Sequence, residues 1–428
     1  MRARPLGDEL LPVVAAARNE RPVVLERTSD MKITASSLST FPIAGPAPRE
    51  AVLVLLHDEL GRTGVGEAAP MKGFSRDSFA AAVHALHDAA SSVGEIDEHA
   101  DPLGAISAAL EPCRQPLDAS PTARFAMETA LLDLLSQRRG TDIATCLRAS
   151  SVAPVSPARV VSEGALIESS ALIVSVTDAP ALVKAGLGAV ARGFRTLKVK
   201  LRATDEVSLE REIEGLTALR YAAPSLALRL DPNGRWSVPD ARRFLARLAA
   251  IGPVFVEQPV QPQDLAQLGP CAVPWAADES LAEPCECGCS PSAGCSRDDR
   301  FGDERAELQH LSAASGCGAF ILKPAVLGFV GALACAKLAA RRGLPVVVTH
   351  FMDGPVGLAA ACELSLSLTP APLPCGLDPH AGLVDVDPAA LPHHVQPARV
   401  RATGHLGLGL TPEALASLLQ RTAPVWTN

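Results

Sequence analysis

The second half of the chain repeats one pattern, a short β-rich run followed by a helical stretch. Eight such runs lie within about 220 residues, and alternation at this spacing predicts parallel strand–helix units. Eight units are the number that closes a TIM-type barrel, which we therefore expect over residues 155–384. The runs are Ala158–Leu166, Thr196–Leu201, Leu226–Asp231, Val254–Pro259, Trp275–Ser280, Ala319–Pro324, Pro345–His350 and Cys375–Pro379.

Residues 31–150 have a different pattern, in which the predicted strands come first and the predicted helices follow. Glu50–His57 reads as a strongly apolar strand, and the turn residues of 58–66 predict a hairpin after it. Helical spacing follows over 77–94 and 121–139. Strands first and helices afterwards predict an α+β domain.

The composition limits the partners of the chain. Hydrophobic residues make up 48% and charged residues 20%, which suits a large core and excludes general disorder. The net charge is −8, no dense Lys/Arg block occurs, and aromatic residues are only 4%, so nucleic acid is not an expected partner. No uninterrupted run of about 18 apolar residues occurs, so membrane insertion is not expected either. The sequence does not indicate an oligomeric state.

Two features favour a cytoplasmic location. Residues 1–30 hold a short apolar patch without a following cleavage site, so they do not resemble a secretory signal. We expect them to form a disordered extension. The chain has 11 cysteines, most of them scattered singly in apolar contexts, as with Cys335 and Cys362. That usage is typical of reduced thiols rather than of a disulfide framework.

One interval between barrel runs is unusually long, since 45 residues separate Asp278 from Lys323. We interpret about 283–304 as an insertion on the barrel, polar and rich in Gly, Pro and Ser. Its cysteines could hold zinc or respond to redox state, but their spacing is not that of a paired zinc knuckle. A variable loop is the favoured interpretation. The cysteines are Cys285, Cys287, Cys289 and Cys295.

Charged side chains fall at the predicted ends of five consecutive barrel strands. Active sites of such barrels lie at the carboxyl ends of the strands, so these side chains are expected to converge. Three acids at adjacent strand ends would repel one another unless a cation joined them, and an all-oxygen set suits Mg²⁺, with Mn²⁺ as a substitute. The absence of His and Cys at these positions argues against zinc. The residues are Lys198, Lys200, Asp231, Glu257, Asp278, Glu279 and Lys323.

The order of these groups, lysine then acids then lysine, suits proton abstraction next to a carboxylate. A divalent ion acidifies the α-proton of a bound carboxylate because it stabilises the enediolate that forms. A lysine close to the ion and to another ammonium has a lowered pKa and can act as the base. Each motif alone is commonplace, a solvated strand face or a turn. Their occurrence in order at successive strand ends is what indicates a site for a small carboxylate substrate.

These motifs resemble the enolase superfamily, in its muconate-lactonizing-enzyme subgroup. The matching segments are Thr-Leu-Lys198-Val-Lys200, Asp231-Pro-Asn233-Gly, Val-Glu257-Gln-Pro, Asp278-Glu279-Ser and Lys323-Pro. The resemblance implies a modified TIM (β/α)7–8 barrel with an N-terminal α+β capping domain, the latter completed by residues of about 385–428. It implies that Asp231, Glu257 and Asp278 are Mg²⁺ ligands, with Asn233 and Glu279 supporting them. It also implies that Lys200 is the general base and Lys198 its electrostatic neighbour. Lys323 is then the cation on the far face of the enediolate.

A segment of the capping domain resembles o-succinylbenzoate synthases in particular. It reads Gly64-Val-Gly66-Glu67-Ala-Ala-Pro70-Met-Lys-Gly73-Phe74-Ser75. The resemblance implies Gly73, Phe74 and Ser75 as substrate contacts, although a plain glycine turn is the alternative, and Arg49 fits the same group. The implied reaction is Mg²⁺-dependent syn-dehydration of a succinyl-cyclohexadiene carboxylate through an enediolate, a step of menaquinone biosynthesis.

Two strand ends depart from the pattern of these relatives. The seventh reads Thr349-His350-Phe-Met-Asp353-Gly354, which makes Asp353 and Gly354 candidate substrate contacts. His350 is either a pocket residue or a packed strand-end residue. At the eighth, Asp378-Pro-His380 replaces the Asp-x-Asp of dipeptide epimerases, which disfavours that activity. N-succinylamino acid racemization stays open, as does a non-catalytic binding protein on the same scaffold, against which the intact lysines and acids argue.

Overall fold

The computed structural model describes residues 30–44, 48–149, 166–174, 178–282, 308, 311–383, 386 and 394–427. The predicted extension over 1–30 and the predicted cysteine-rich insertion lie outside this set, apart from Asp30. The seven cysteines inside it are all free thiols.

An antiparallel sheet begins the described chain. Its strands lie in the order β14-β1-β2-β3, so the carboxyl-terminal strand pairs with the amino-terminal one. The hairpin between β2 and β3 forms where the turn residues predicted it. The strands are β1 Ile33–Ile43, β2 Arg49–Asp58, β3 Thr63–Ala68 and β14 Ala423–Thr427. The helices that follow β3 are α1 Phe79–Ser92, α2 Pro102–Ala109, α3 Arg114–Ala119, α4 Pro121–Arg138 and α5 Ile143–Ala149.

Two glycines of β3 let the sheet lie directly on helix α4. A Cβ atom at Gly66 would come within 1.9 Å of the carbonyl oxygen of Ala126, and one at Gly64 within 2.2 Å of that of Ala130. Those distances are far below van der Waals contact, so only glycine permits this approach. The close packing buries nearly every residue of α4, including the polar ones.

A seven-stranded parallel sheet, in the order β11-β10-β9-β8-β7-β6-β5, forms the curled wall of the barrel. The eighth position is taken by an extended segment that bridges both edges, through Ser169 with Cys375 and Thr349 with Gly376. This confirms the expected fold class. The strands are β5 Ala171–Ile173, β6 Thr196–Lys200, β7 Ala227–Asp231, β8 Phe255–Glu257, β9 Trp275–Ala277, β10 Cys317–Leu322 and β11 Val346–Val348.

Two of the eight predicted barrel strands differ in the structure. The strand that pairs with β6 is β5, whereas Leu166, the only described residue of the run Ala158–Leu166, belongs to β4, Leu166–Glu168, in a separate small sheet. That sheet also holds β12 Val395–Gln396 and β13 Arg399–Arg401. The run Cys375–Pro379 makes only isolated bridges, because prolines at 374 and 379 have no N–H to extend the ladder.

Helices alternate with the strands of the parallel sheet along the chain. One of them, α11, contacts α4, and Phe329 stacks on Phe125 with 5.9 Å between ring centroids. Among the described residues, α11 alone is long and apolar enough to cross a membrane by length and composition, and 61% of that stretch is buried, as in a core helix. The helices are α6 Ala179–Ala191, α7 Glu206–Ala222, α8 Val238–Leu248, α9 Leu265–Leu268, α10 Glu279–Ala282, α11 Pro324–Arg341, α12 Pro355–Ser367 and α13 Pro412–Leu419.

Candidate active site

Three carboxylates meet at the carboxyl ends of adjacent barrel strands. Asp231 is the last residue of β7, Glu257 the last of β8, and Asp278 follows β9 directly. All three are buried, and one carboxylate oxygen from each lies within 4.8 Å of the others. They converge because parallel strands bring their carboxyl ends to the same rim of the sheet. Three buried carboxylates this close need positive charge nearby.

Three lysines supply positive charge around these acids. Lys198 and Lys200 stand two residues apart on β6, so both side chains point the same way. Lys198 pairs with Asp231, at 2.8 Å, and with Glu257. Lys200 donates to Asp231 over 2.5 Å and to the side-chain oxygen of Asn233 over 2.7 Å.

Lys323 lies on the other side of the acids, immediately after β10. Its Nζ is 2.5 Å from Oδ2 of Asp278 and 3.4 Å from Oε1 of Glu279. The sheet order β10-β9-β8-β7-β6 therefore places one lysine strand on each side of the three acid strands. The sequence prediction of a lysine, acid, lysine arrangement corresponds to this geometry.

The surroundings shift the pKa values of the three lysines in different directions. Burial lowers the pKa of Lys200, and the neighbouring charge of Lys198 lowers it further. Burial alone would lower the pKa of Lys198 and of Lys323 as well, but the nearby carboxylates raise both above the usual lysine value. Lys200 is thus the lysine best suited to accept a proton, and the other two are suited to remain cations.

The acids also differ. Burial would raise the pKa of Asp231, but the charges of Lys198 and Lys200 outweigh it and hold that pKa well below the usual value. Burial raises the pKa of Asp278, and the carboxylate of Glu279 raises it further. An oxygen-rich set that repels itself in this way is the donor chemistry that Mg²⁺ prefers, so the residues fit that ion.

Gln258 positions this centre and was missed by the sequence analysis. Its Oε1 accepts hydrogen bonds from the backbone N–H groups of Asp278 and Ser280, at 3.0 and 3.3 Å. Its Nε2 donates to Ser280 Oγ over 2.8 Å. The side chain therefore joins the end of β8 to the end of β9 and orients two of the acids. Its place directly after Glu257 in the Val-Glu-Gln-Pro segment was the available signal.

An open cleft lies beside Asp278 and Lys323, with about 600 Å³ of empty space that includes open solvent. Its lining combines the largely buried charged groups of Asp278 and Lys323, apolar side chains, and two exposed residues of the capping segment, Phe74 and Arg76. The lining residues are Phe74, Arg76, Pro121, Asp278, Glu279, Ala282, Ile321, Lys323, Val326, Leu327 and Phe351.

The three capping residues predicted as substrate contacts, Gly73, Phe74 and Ser75, differ in their surroundings. Phe74 lines the cleft and is 57% exposed, so it is available to a ligand. Gly73 has φ +83° and gives the turn its left-handed residue. The hydroxyl of Ser75 is occupied within the turn, because it accepts from Met71 N at 2.9 Å and lies within hydrogen-bond distance of two carbonyl oxygens. Ser75 thus shapes the segment that carries Phe74.

Arg49, Asp353 and Gly354 do not line this cleft. Arg49 donates to the carbonyl oxygens of Phe351 and Met352, at 3.0 and 2.5 Å. Asp353 is buried and accepts from Phe351 N at 2.7 Å. These contacts join β2 to the loop after β11. The structure shows these packing contacts, and the role of the three residues as substrate contacts stays a prediction.

Glu67, which the sequence analysis did not single out, completes this junction. Its carboxylate accepts from the backbone N–H groups of Gly354, Val356 and Gly357, at 2.5, 3.1 and 3.1 Å. A side chain of β3 thereby caps the amino terminus of α12, where N–H groups lack partners within the helix. Burial raises the pKa of Glu67 to about 8, and the charge of Asp353 adds to that effect.

His350 proves to be a packed strand-end residue. Its Nδ1 accepts from Met352 N at 2.9 Å, and its Nε2 lies 3.1 Å from the carbonyl oxygen of Asp378. The ring stacks on that of His380 with 5.3 Å between centroids. Burial lowers the pKa of His350 to about 3, and the neighbouring His380 lowers it as well. Both ring nitrogens of His350 are thus engaged by backbone groups.

Comparisons with known proteins agree with the geometry. Residues 181–287 match the family model described as enolase C-terminal domain-like. The o-succinylbenzoate synthase of Mycobacterium tuberculosis is 34% identical over 216 residues, which cover 49% of this chain and 58% of that protein. The homologue of Mycobacterium ulcerans is 32% identical over 225 residues, which cover 50% of this chain and 61% of that protein. The alignment thus spans somewhat more than half the length of these curated relatives.

Solved structures show the same architecture. A dipeptide epimerase from Methylococcus capsulatus, complexed with Mg ion, superposes with a TM-score of 0.70 at 25% identity, covering 89% of this chain and 99% of that one. A mandelate racemase/muconate lactonizing enzyme from Roseiflexus sp. gives a TM-score of 0.64 at 24% identity, covering 82% and 90%.

The fold and the site define a barrel enzyme whose centre joins three carboxylates and flanking lysines at the strand ends. The chain is similar to members of the enolase superfamily and, over about half its length, to o-succinylbenzoate synthases.

Proposed function

We propose that the protein is a Mg²⁺-dependent carbon–oxygen hydro-lyase that dehydrates a hydroxylated succinyl-cyclohexadiene carboxylate to o-succinylbenzoate. The observation that carries this proposal is the placement of Lys200 and Lys323 on opposite sides of the three acids. The similarity to curated o-succinylbenzoate synthases supports the choice of substrate.

Asp231, Glu257 and Asp278 would hold the Mg²⁺ ion. When bound, the ion supplies positive charge beside the substrate carboxylate and so makes the neighbouring C–H more acidic. Asn233 and Gln258 keep two of these acids in place, since Asp231 Oδ1 accepts from Asn233 N at 2.8 Å and Gln258 accepts from Asp278 N.

Lys200 would remove the α-proton in its neutral form. The electron pair of that C–H bond first moves into the substrate carboxylate, which gives an enediolate. It then forms the new ring double bond as the C–O bond breaks, and the departing hydroxide takes a proton and leaves as water. One lysine can serve both proton transfers when the hydrogen and the hydroxyl lie on the same face, which is syn elimination. Lys323, with its raised pKa, would remain an ammonium that stabilises negative charge from the opposite side.

Racemization or epimerization is the second candidate function, with N-succinylamino acids as substrates. It is favoured by the likeness to the solved Methylococcus dipeptide epimerase and by lysines on both sides of the acids. A dipeptide substrate is disfavoured, because the carboxylate of Asp378 pairs with Arg192 at 3.4 Å and does not line the cleft.

The remaining features fit a small carboxylate substrate met in the cytoplasm, and we place the reaction in menaquinone biosynthesis. The net charge of −8 disfavours nucleic acid, and the free cysteines of the described residues agree with a reducing compartment.

A turnover assay tests the proposal. The hydroxylated succinyl-cyclohexadiene carboxylate should be consumed with Mg²⁺, left intact with chelator, and left intact by Lys200→Ala. Lys184→Ala, which removes an exposed lysine of α6, is the matched control and should keep wild-type turnover. Absence of dehydration, combined with solvent deuterium entering N-succinylamino acids, would reassign the function to racemization.

A further inference from the structure

Arg76 is a cation in the lining of the cleft that no described residue neutralises. Its side chain is exposed and lines the cleft together with Phe74. Among the described residues, no carboxylate or carbonyl oxygen accepts a hydrogen bond from it, unlike Lys323, which pairs with two carboxylates. Arg76 is therefore available to an anion that enters the cleft.

The backbone at Arg76 is fixed by the next residue. Asp77 is buried, and its Oδ2 accepts from Ser120 Oγ at 2.7 Å, from Thr122 N at 3.0 Å and from Thr122 Oγ1 at 2.6 Å. This carboxylate caps the amino terminus of α4, whose first residue, Pro121, is itself part of the cleft wall. These hydrogen bonds hold the capping segment against the start of α4. The backbone that carries the Arg76 guanidinium is therefore held in place.

The cleft lining combines three kinds of side chain. Asp278, Glu279 and Lys323 belong to the reacting end in the proposed mechanism, and Asp278 is buried. Apolar side chains such as Leu327 and Val326 suit a ring or an alkyl stretch. Arg76 supplies positive charge on an exposed part of the lining. Among the described lining residues, the only acids are Asp278 and Glu279, so an anionic group is favoured beside Arg76 and a cationic one is not.

We propose that Arg76 determines substrate specificity by binding a second carboxylate, remote from the one that reacts. The inference rests on the proposed function and extends it, because both candidate substrates carry a succinyl group with a terminal carboxylate. A guanidinium can hold a carboxylate with two parallel hydrogen bonds, which fixes the orientation of the tail as well as attracting its charge.

The test compares two substrates with three proteins. The substrates are the hydroxylated succinyl-cyclohexadiene carboxylate and the analogue in which the tail carboxylate is a primary amide. The proteins are wild type, Arg76→Gln and Lys72→Gln. Lys72 is an exposed cation of the same capping segment that does not line the cleft, so its variant is the matched control.

We expect Arg76→Gln to lower kcat/KM for the tail acid about tenfold, mainly through KM, as for a lost hydrogen bond to a charged group. The tail amide should be turned over almost equally by wild type and Arg76→Gln. Lys72→Gln should match wild type on both substrates. Equal effects of Arg76→Gln on the acid and the amide would overturn the assignment while leaving the proposed function intact.

Binding provides a readout that does not need turnover. Calorimetric titration with o-succinylbenzoate and with its tail amide should show that wild type prefers the acid and that Arg76→Gln loses the preference. If wild type shows no dehydration, the same titration is done with N-succinylamino acids and their tail amides, which tests Arg76 separately from the proposed dehydration. Tighter binding of the acid by wild type that is lost in Arg76→Gln supports the role of Arg76. Equal binding of acid and amide by wild type overturns it.

Discussion

The ammonium group of Lys200 donates a hydrogen bond to the carboxylate of Asp231, with 2.5 Å between Nζ and Oδ2. The candidate base and a candidate metal ligand are therefore in direct contact. Asp231 is also paired with Lys198, at 2.8 Å, so this acid keeps a counter-charge whichever lysine is altered. Base and acid therefore act as one electrostatic unit.

Chelation of Mg²⁺ should abolish turnover and leave the protein folded. Each of the three acids lies within ion-pair distance of a lysine, so removal of the divalent ion leaves none of the carboxylates uncompensated. We expect EDTA to remove all measurable dehydration, added Mg²⁺ to restore it, and the circular dichroism spectrum to stay the same. Collapse of the spectrum on chelation would show instead that the ion is needed for folding.

Replacing Lys323 by Arg should separate the two candidate reactions. Arginine keeps the positive charge but does not release a proton at neutral pH, so some dehydration should survive while racemization is lost. Turnover of the cyclohexadiene substrate and deuterium exchange into N-succinylamino acids, followed by NMR, measure the two activities. Loss of dehydration with exchange persisting from both faces would reverse our ranking of the functions.

Asp133 should make stability depend on pH. It is buried on α4 and accepts from Val65 N, Leu408 N and Gln137 Nε2, at 3.0, 2.8 and 2.9 Å. Burial raises its pKa to about 6 from 3.8, against the effect of these hydrogen bonds. The folded state then holds the proton more tightly than the unfolded state, so this contribution to stability is complete below about pH 4 and is lost as pH rises through about 6.

Asp133→Asn removes that titration. Relative to wild type, the free energy of unfolding of the variant should increase by on the order of 3 kcal/mol between pH 4 and pH 7, measured by urea denaturation at each pH. Glu214→Gln, which neutralises an exposed carboxylate of α7, should show no such trend. A trend of opposite sign would mean that the three N–H donors keep Asp133 ionised in the folded protein.

Gly66→Ala should be strongly destabilising. The added Cβ would meet the backbone of α4 at 1.9 Å, and a backbone atom has no alternative rotamer, so β3 and α4 must move apart. A cost of about 3 kcal/mol or more is expected for such overpacking. Thermal denaturation measures it against Gly188→Ala, an open helical position where alanine should be neutral or stabilising by up to about 1 kcal/mol. Equal stability of the two variants would contradict the close approach.

The convergence of the candidate site residues could be predicted from sequence because these residues are adjacent to strands that the sequence marks clearly. Asp231 and Glu257 end strongly apolar runs, and parallel strands necessarily present their carboxyl ends on one rim. The strand alternation likewise put Lys198 and Lys200 on one face. For these groups, local pattern and a simple topological rule were enough.

The tertiary structure decided the contacts between residues far apart in the chain. Glu67 caps a helix 287 residues away, and Arg49 holds a loop 302 residues away, so neither role has a local signature. Asp353, a predicted substrate contact, likewise accepts a hydrogen bond from a backbone N–H group that only the folded chain reveals. What the sequence by itself determined is the order and chemistry of the strand ends. Which charges face the cleft and which are used up in joining distant segments depended on the folded packing, because a hydrogen bond is decided by distance and burial rather than by position in the chain.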